Sequence, residues 1–138
     1  LSPEAIAANS DMKIVYSPMH GCGHRLVPAA LKRFGFTNVS VVKEQAVIDG
    51  DFPTVASPNP EEKATMKMAF EQGVREGAEI IMATDPDADR VGIALPTVRV
   101  TMYCSMVTRL ACSIPIIYAV AGRNSANSTA TSISLRLS

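Results

Sequence analysis

Ile80-Ile81-Met82-Ala83-Thr84-Asp85-Pro86-Asp87-Ala88-Asp89-Arg90 is the stretch on which the reading of this chain turns. An apolar run stops abruptly at three carboxylates in alternate positions, and an arginine follows. In an extended segment, side chains two apart point the same way, which allows Asp85, Asp87 and Asp89 to converge. Two carboxylates about 4 Å apart repel by roughly 4 kcal/mol at an effective dielectric near 20, so convergence calls for a cation, a raised pKa or splaying into water. An oxygen-only cluster suits a hard ion, Mg²⁺ before Zn²⁺, and such an ion keeps positions open for water or a phosphate oxygen. The alternative is a solvated acidic turn. The apolar run favours the metal, because open α/β sheets bind ligands at the carboxyl ends of their strands. An EF-hand is excluded: counted from Asp85, the sixth position holds Arg90 instead of Gly and the twelfth holds Pro96 instead of Glu. A phosphatase using Asp85 as nucleophile stays open as an alternative, as does a non-catalytic metal-binding or interaction module.

Upstream of this run, Asn59-Pro60-Glu61-Glu62 has the chemistry of a helix start. Asn59 stands as N-cap, Pro60 at the first position and Glu62 at the third. The helix is expected to reach Glu76 and end at Gly77, with Met66, Ala69, Phe70 and Val74 inward. Gly73 inside it costs up to ~1 kcal/mol. Downstream, Val91 to Leu95 predicts a strand leaving the aspartates. The intervening return is too short for a parallel crossover, so this strand pairs antiparallel or lies at an edge.

Towards the N-terminus, residues 1–12 read as a connector with a short helix capped by Ser2 and begun by Pro3. Lys13 to Ser17 is a short apolar strand. Pro18-Met19-His20-Gly21-Cys22-Gly23-His24 follows, with two glycines placed for a tight turn and close backbone approach. Apolar residues at Leu26, Val27, Ala30, Leu31 and Phe34 predict a helix ended by Gly35, with Pro28 in its first turn. Strand, glycine turn and helix in succession form a candidate anion site. Zinc at His20, Cys22 and His24 is disfavoured: the glycines break the spacing and no fourth soft ligand is near. Val39 to Lys43 is a second strand. Residues 44–60 form a proline-punctuated loop, in which Asp49 and Asp51 belong to a turn anchored by Phe52. The order β-α-β-α-β-β predicts a three-layer α/β/α domain with a mixed, mainly parallel sheet.

The 138 residues suffice for one domain with a real core. A formal net charge of zero argues against nucleic-acid or polybasic membrane partners. The average conceals an asymmetry. Residues 1–96 carry nine basic and thirteen acidic side chains, whereas residues 97–138 carry four arginines and no Lys, Asp or Glu. The Ser/Thr/Asn-rich tail 97–138 is expected to be irregular or disordered and to derive from frameshift or read-through. The longest apolar run, residues 110–122, is short of the ~17–25 residues a membrane span needs. Three cysteines without a C-x-x-C pair read as reduced thiols of a cytoplasmic protein.

Four ordered motifs, Ser17-Pro18-Met19-His20-Gly21-Cys22-Gly23, Asp49-Gly50-Asp51-Phe52-Pro53, Ser57-Pro58-Asn59-Pro60-Glu61 and Ala83 to Arg90, together resemble the second domain of the α-D-phosphohexomutases. Their form is closest to the branch with phosphopentomutase-type phosphoglucomutases. The resemblance covers residues 13–96. It implies an isomerase that moves a phosphoryl group within a sugar phosphate, through a phosphoserine and a sugar bisphosphate. It implies Mg²⁺ held by Asp85, Asp87 and Asp89, Arg90 as a catalytic and phosphate-supporting residue, and His20 and Gly21 near phosphate. The phosphoserine, sugar-specificity and last-domain phosphate loops of that family have no counterpart in these residues. The expected partners are sister domains I, III and IV, and the chain alone is expected to be inactive.

Overall fold

Strand β1 (Ile14–Ser17) lies parallel to β3 (Ile80–Thr84), pairing Ile14 with Ile80 through Ser17 with Ala83. Every residue of both strands is buried. Period-two alternation explains why both read as unbroken apolar runs. Ile14, Tyr16, Ile80 and Met82 face one layer with Leu31, Phe36 and Met12. Val15, Ile81 and Ala83 face the other with Met66, Ala69 and Val42. The structure, a computed structural model, describes residues 3–95 and, as backbone, 101–105.

Helix α1 (Pro3–Ala7) precedes β1 and brings Ile6 into the first core layer. Helix α2 (Gly23–Phe34) follows β1, β2 (Val39–Val41) pairs parallel with β1, and a 3₁₀ turn (Lys43–Gln45) leads into the long loop. Helix α3 (Lys67–Glu76) precedes β3, and β4 (Val91–Leu95) returns antiparallel to it. A fifth strand, β5 (Thr101–Ser105), pairs antiparallel with β4. The sheet order is β2-β1-β3-β4-β5. The sheet is mixed as expected. Its antiparallel share is larger because 101–105, inside the stretch expected to be irregular, adds an edge strand. The remainder of the predicted tail lies outside the described residues.

Four local expectations are corrected. Helix α2 begins at Gly23, so Pro28 sits in its second turn, where it removes a helical hydrogen bond. Only Leu31 of the predicted apolar set is fully buried: Val27 packs at the core margin, and Leu26 and Phe34 are exposed. Helix α3 starts at Lys67, seven residues after Pro60. Asn59 does not cap it: Met66 stands at the N-cap, and Asn59 Oδ1 instead closes a local turn by accepting the Glu61 N–H at 3.1 Å. The chain then proceeds through turns, with Thr65 tied by its hydroxyl to Ser57 O at 2.8 Å. Val74 is exposed.

Both predicted terminators hold. Gly35 and Gly77 are left-handed at φ 109 and 66, conformations that favour glycine. The mid-helix Gly73 has a packing reason: a Cβ there would overlap the buried Ile81 side chain. Its absence lets α3 approach β3 closely.

Candidate functional site

The chain runs from β1 to β2 on one side of it, then returns to β3 on the other. The order therefore reverses between β1 and β3. Crevices for ligands form at such a switch point, beyond the carboxyl ends of the strands. Here that end carries two loops: the glycine turn after β1 and the aspartate loop after β3.

The aspartate loop is a tight hairpin connection, not the extended segment from which convergence was first argued. Thr84 pairs with Val91, and Asp85 N–H donates to Arg90 O at 3.3 Å. Ala88 N–H donates to Asp85 O at 3.0 Å, with Ala88 left-handed at φ 61. The turn gathers the acids: one carboxylate oxygen from each of Asp85, Asp87 and Asp89 lies within 4.8 Å of the other two.

The three are not equivalent. Asp85 is buried, while Asp87 and Asp89 are exposed. Asp85 Oδ1 accepts the Arg90 N–H at 3.0 Å and Oδ2 accepts Arg90 Nε at 2.7 Å. Burial pushes the Asp85 carboxyl up, but the Arg90 backbone N–H and guanidinium outweigh it and hold the group below the usual carboxylate range. A hydrogen bond with Asp85, together with the Asp85 and Asp87 charges, pushes Asp89 up. One arginine thus offsets only part of the charge of three acids.

The donor set fits a hard divalent ion. It is all oxygen, and Asp87 and Asp89 face solvent. Each Asp85 oxygen accepts one hydrogen bond from Arg90, and a carboxylate oxygen has two lone pairs. The same geometry disfavours Asp85 as a nucleophile, since it is 1% exposed with both oxygens held by Arg90. Arg90 also reaches Asn59 Oδ1 from Nη1 at 3.5 Å, and its side chain is 43% exposed.

His20 and Gly21, expected near phosphate, each have partners within the chain. His20 Nδ1 pairs with Val47 O at 2.8 Å and Nε2 with Thr54 Oγ1 at 2.9 Å. The Gly21 N–H donates to Pro18 O at 2.8 Å. The glycine turn also braces the aspartate loop. Cys22 N–H donates to Pro86 O at 2.8 Å, and a Cβ on Gly21 would overlap the Pro86 backbone. No zinc cluster forms around His20 among the described residues, and Asp49 makes a turn with the Asp51 N–H at 2.9 Å. Sequence reasoning missed Gln45 and Thr54, which flank the Asp49–Pro53 motif and bond into this turn. It also missed the link from Asn59 to Arg90.

Relatives agree with the geometry. Residues 3–97 match the profile of phosphoglucomutase/phosphomannomutase, alpha/beta/alpha domain II. A phosphoglucomutase of Staphylococcus haemolyticus is 45% identical over 83 residues, 60% of this chain and 15% of that protein. A human phosphopentomutase is 38% identical over 91 residues, 65% of this chain and 15% of that one. The solved structure of a phosphoglucomutase/phosphomannomutase family protein from Burkholderia thailandensis shares the fold, with a TM-score of 0.54 at 24% identity over 71% of this chain and 21% of that chain. The chain spans less than a fifth of the curated relatives' own length. With residues 3–97 matched by that profile, the chain belongs to the phosphoglucomutase/phosphomannomutase family, as its α/β/α domain II.

Proposed function

We propose that this chain is the Mg²⁺-binding domain of a sugar-phosphate mutase. Its reaction interconverts glucose 1-phosphate and glucose 6-phosphate, or the corresponding pentose phosphates, by way of a phosphoserine on a sister domain and a sugar bisphosphate. The observation that carries the reading is the gathering of Asp85, Asp87 and Asp89 within 4.8 Å at the switch point of the sheet. Asp85 is the buried anchor, and Asp87 and Asp89 complete the ligand set from the solvent side. When bound, the ion supplies positive charge to neutralise the oxygens of the transferring phosphoryl group. Arg90 holds Asp85 in place with Nε and turns its exposed outer edge to phosphate, a role its planar fork suits.

Residues 3–97 match the profile of this domain, and Ile6 and Met12 pack in its first core layer, so most of the segment expected as a connector belongs to the domain. Sister domains I, III and IV are its partners, and a cytoplasmic setting accords with phosphorylated sugars as substrates. No helix among the described residues is long and apolar enough to cross a membrane. The sequence after Thr97, where the family profile ends, is foreign to the family in our reading.

Magnesium titration of the chain, followed by amide NMR, tests the reading. Residues 85–90 should shift at millimolar Mg²⁺, and Asp87→Asn with Asp89→Asn should abolish the shifts while leaving the fold intact. Unmoved amides in the folded, unsubstituted chain refute it. The chain alone should form no glucose 6-phosphate from glucose 1-phosphate, because the phosphoserine loop is not among its residues.

A further inference from the structure

His20 occupies the left-handed region at φ 65, next to Met19 at φ 46, where non-glycine residues are uncommon. What holds it there is one segment, residues 45–54. Its N–H donates to Gln45 O at 2.8 Å, and its carbonyl accepts from the Asp49 N–H at 3.3 Å. Its ring spans Val47 O and Thr54 Oγ1. A carbonyl only accepts, so Nδ1 carries the proton and Nε2 accepts from the Thr54 hydroxyl. Thr54 Oγ1 in turn accepts from Gln45 Nε2 at 3.0 Å. Gln45, fully buried, accepts from Ser17 Oγ, and that oxygen accepts from the Met19 N–H at 3.1 Å. The hydrogen bonds run in one direction, from the end of β1 through the loop and back to the His20 ring.

One residue further on, Gly21 and Cys22 contact Pro86, which lies between Asp85 and Asp87. We propose that His20 is a positioning residue for the acidic cluster. Fixed in one tautomer by Val47 and Thr54, it sets the height of the glycine turn. Through the Cys22–Pro86 bond it thereby sets the separation of the buried and exposed carboxylates. The inference rests on the metal-binding reading above. It gives His20 a task that needs no contact with phosphate.

The test compares Thr54→Val, which keeps the shape but removes the hydroxyl, with Thr54→Ser, which restores it. Mg²⁺ affinity is measured by calorimetry well below the melting temperature of each variant. Partners that orient metal ligands typically matter 10- to 100-fold, and His20 acts one residue further out, so the Mg²⁺ Kd should rise about 3- to 10-fold in Thr54→Val. It should return to the unsubstituted value in Thr54→Ser, and the Cys22 amide should shift in the first variant only. Long-range ¹⁵N spectra should show His20 protonated at Nδ1. His20→Phe should weaken Mg²⁺ at least as much; where it fails to fold, Thr54→Val carries the test. Unchanged Kd in Thr54→Val beside normal binding by the unsubstituted chain overturns the inference and leaves the metal reading standing. So does a proton on Nε2. No Mg²⁺ binding by the unsubstituted chain overturns both.

Discussion

Replacing Gly21 by alanine separates steric contact from backbone freedom, because Gly21 is not among the residues at positive φ. At such a position Gly→Ala ordinarily stabilises by about 0.4–1 kcal/mol, through the unfolded chain. Here the new Cβ would overlap Cα, C and O of Pro86, which are backbone atoms that no rotamer change can move. Forced overpacking costs about 1–3 kcal/mol. If the loops separate instead, the Cys22 N–H to Pro86 O bond is lost, at about 0.5–1.5 kcal/mol. The sign therefore reverses, and a net loss of about 2 kcal/mol is expected, equivalent to roughly 8–16 °C in Tm for a domain of this size. Gly50 is the internal control. It lines a surface pocket together with Gly21 and Pro86, its φ is not positive, and nothing lies within 4 Å of its Cβ position. Gly50→Ala should be neutral or slightly stabilising. Urea unfolding followed by circular dichroism measures both, and Mg²⁺ titration reports whether the acids remain aligned. A Gly21→Ala chain as stable as the Gly50→Ala chain refutes the proposed clamp.

Three further outcomes are expected. Gly73→Ala, which would add up to about 1 kcal/mol on an exposed helix, should destabilise by about 1–2 kcal/mol because of the overlap with Ile81; in an Ile81→Ala background its effect should turn favourable, as a double-mutant cycle in urea would show. Tyr16, fully buried with its hydroxyl 2.8 Å from Thr84 Oγ1, is pushed up to about 12 by burial. The folded chain thus keeps a proton that the unfolded chain gives up. The corresponding stability, roughly 3 kcal/mol, is complete below about pH 10 and lost as the pH climbs towards 12. Unfolding midpoints across that range check it, and a Tyr16→Phe chain should lack this part of the slope. Arg90→Ala should raise the Asp85 pKa, since the guanidinium and its charge no longer oppose burial; carboxyl-carbon NMR would read the change, and an unmoved titration would contradict the pairing.

Local order was legible in the sequence wherever a short-range rule operates alone. The apolar runs of β1 and β3, the antiparallel return through β4, and the glycine terminators at 35 and 77 depend only on neighbouring residues. The three acids were legible as a cluster, although by the wrong geometry: a hairpin turn, not an extended strand, gathers them. Rules that compete with tertiary contacts failed. Asn59 accepts the Glu61 N–H as its chemistry allows, yet it closes a turn and not a helix, since Thr65 bonds Ser57 and α3 begins only at Lys67. Leu26, Phe34 and Val74 fall on helical spacing but point away from the sheet, because helical periodicity is satisfied by more than one face.

Residue types and spacing alone determined that this chain carries a cluster of three acids at a strand end, within a recognisable family domain. Only the tertiary structure decided which groups support it. Gly21, His20, Gln45 and Thr54 come from distant parts of the chain, and their relation to Pro86 exists only once β1 and β3 lie side by side. The same packing decided that Asp85 is held by Arg90 and buried while its two companions remain in water. Burial and the identity of a hydrogen-bond partner follow from how segments meet in space, which spacing along one strand does not encode.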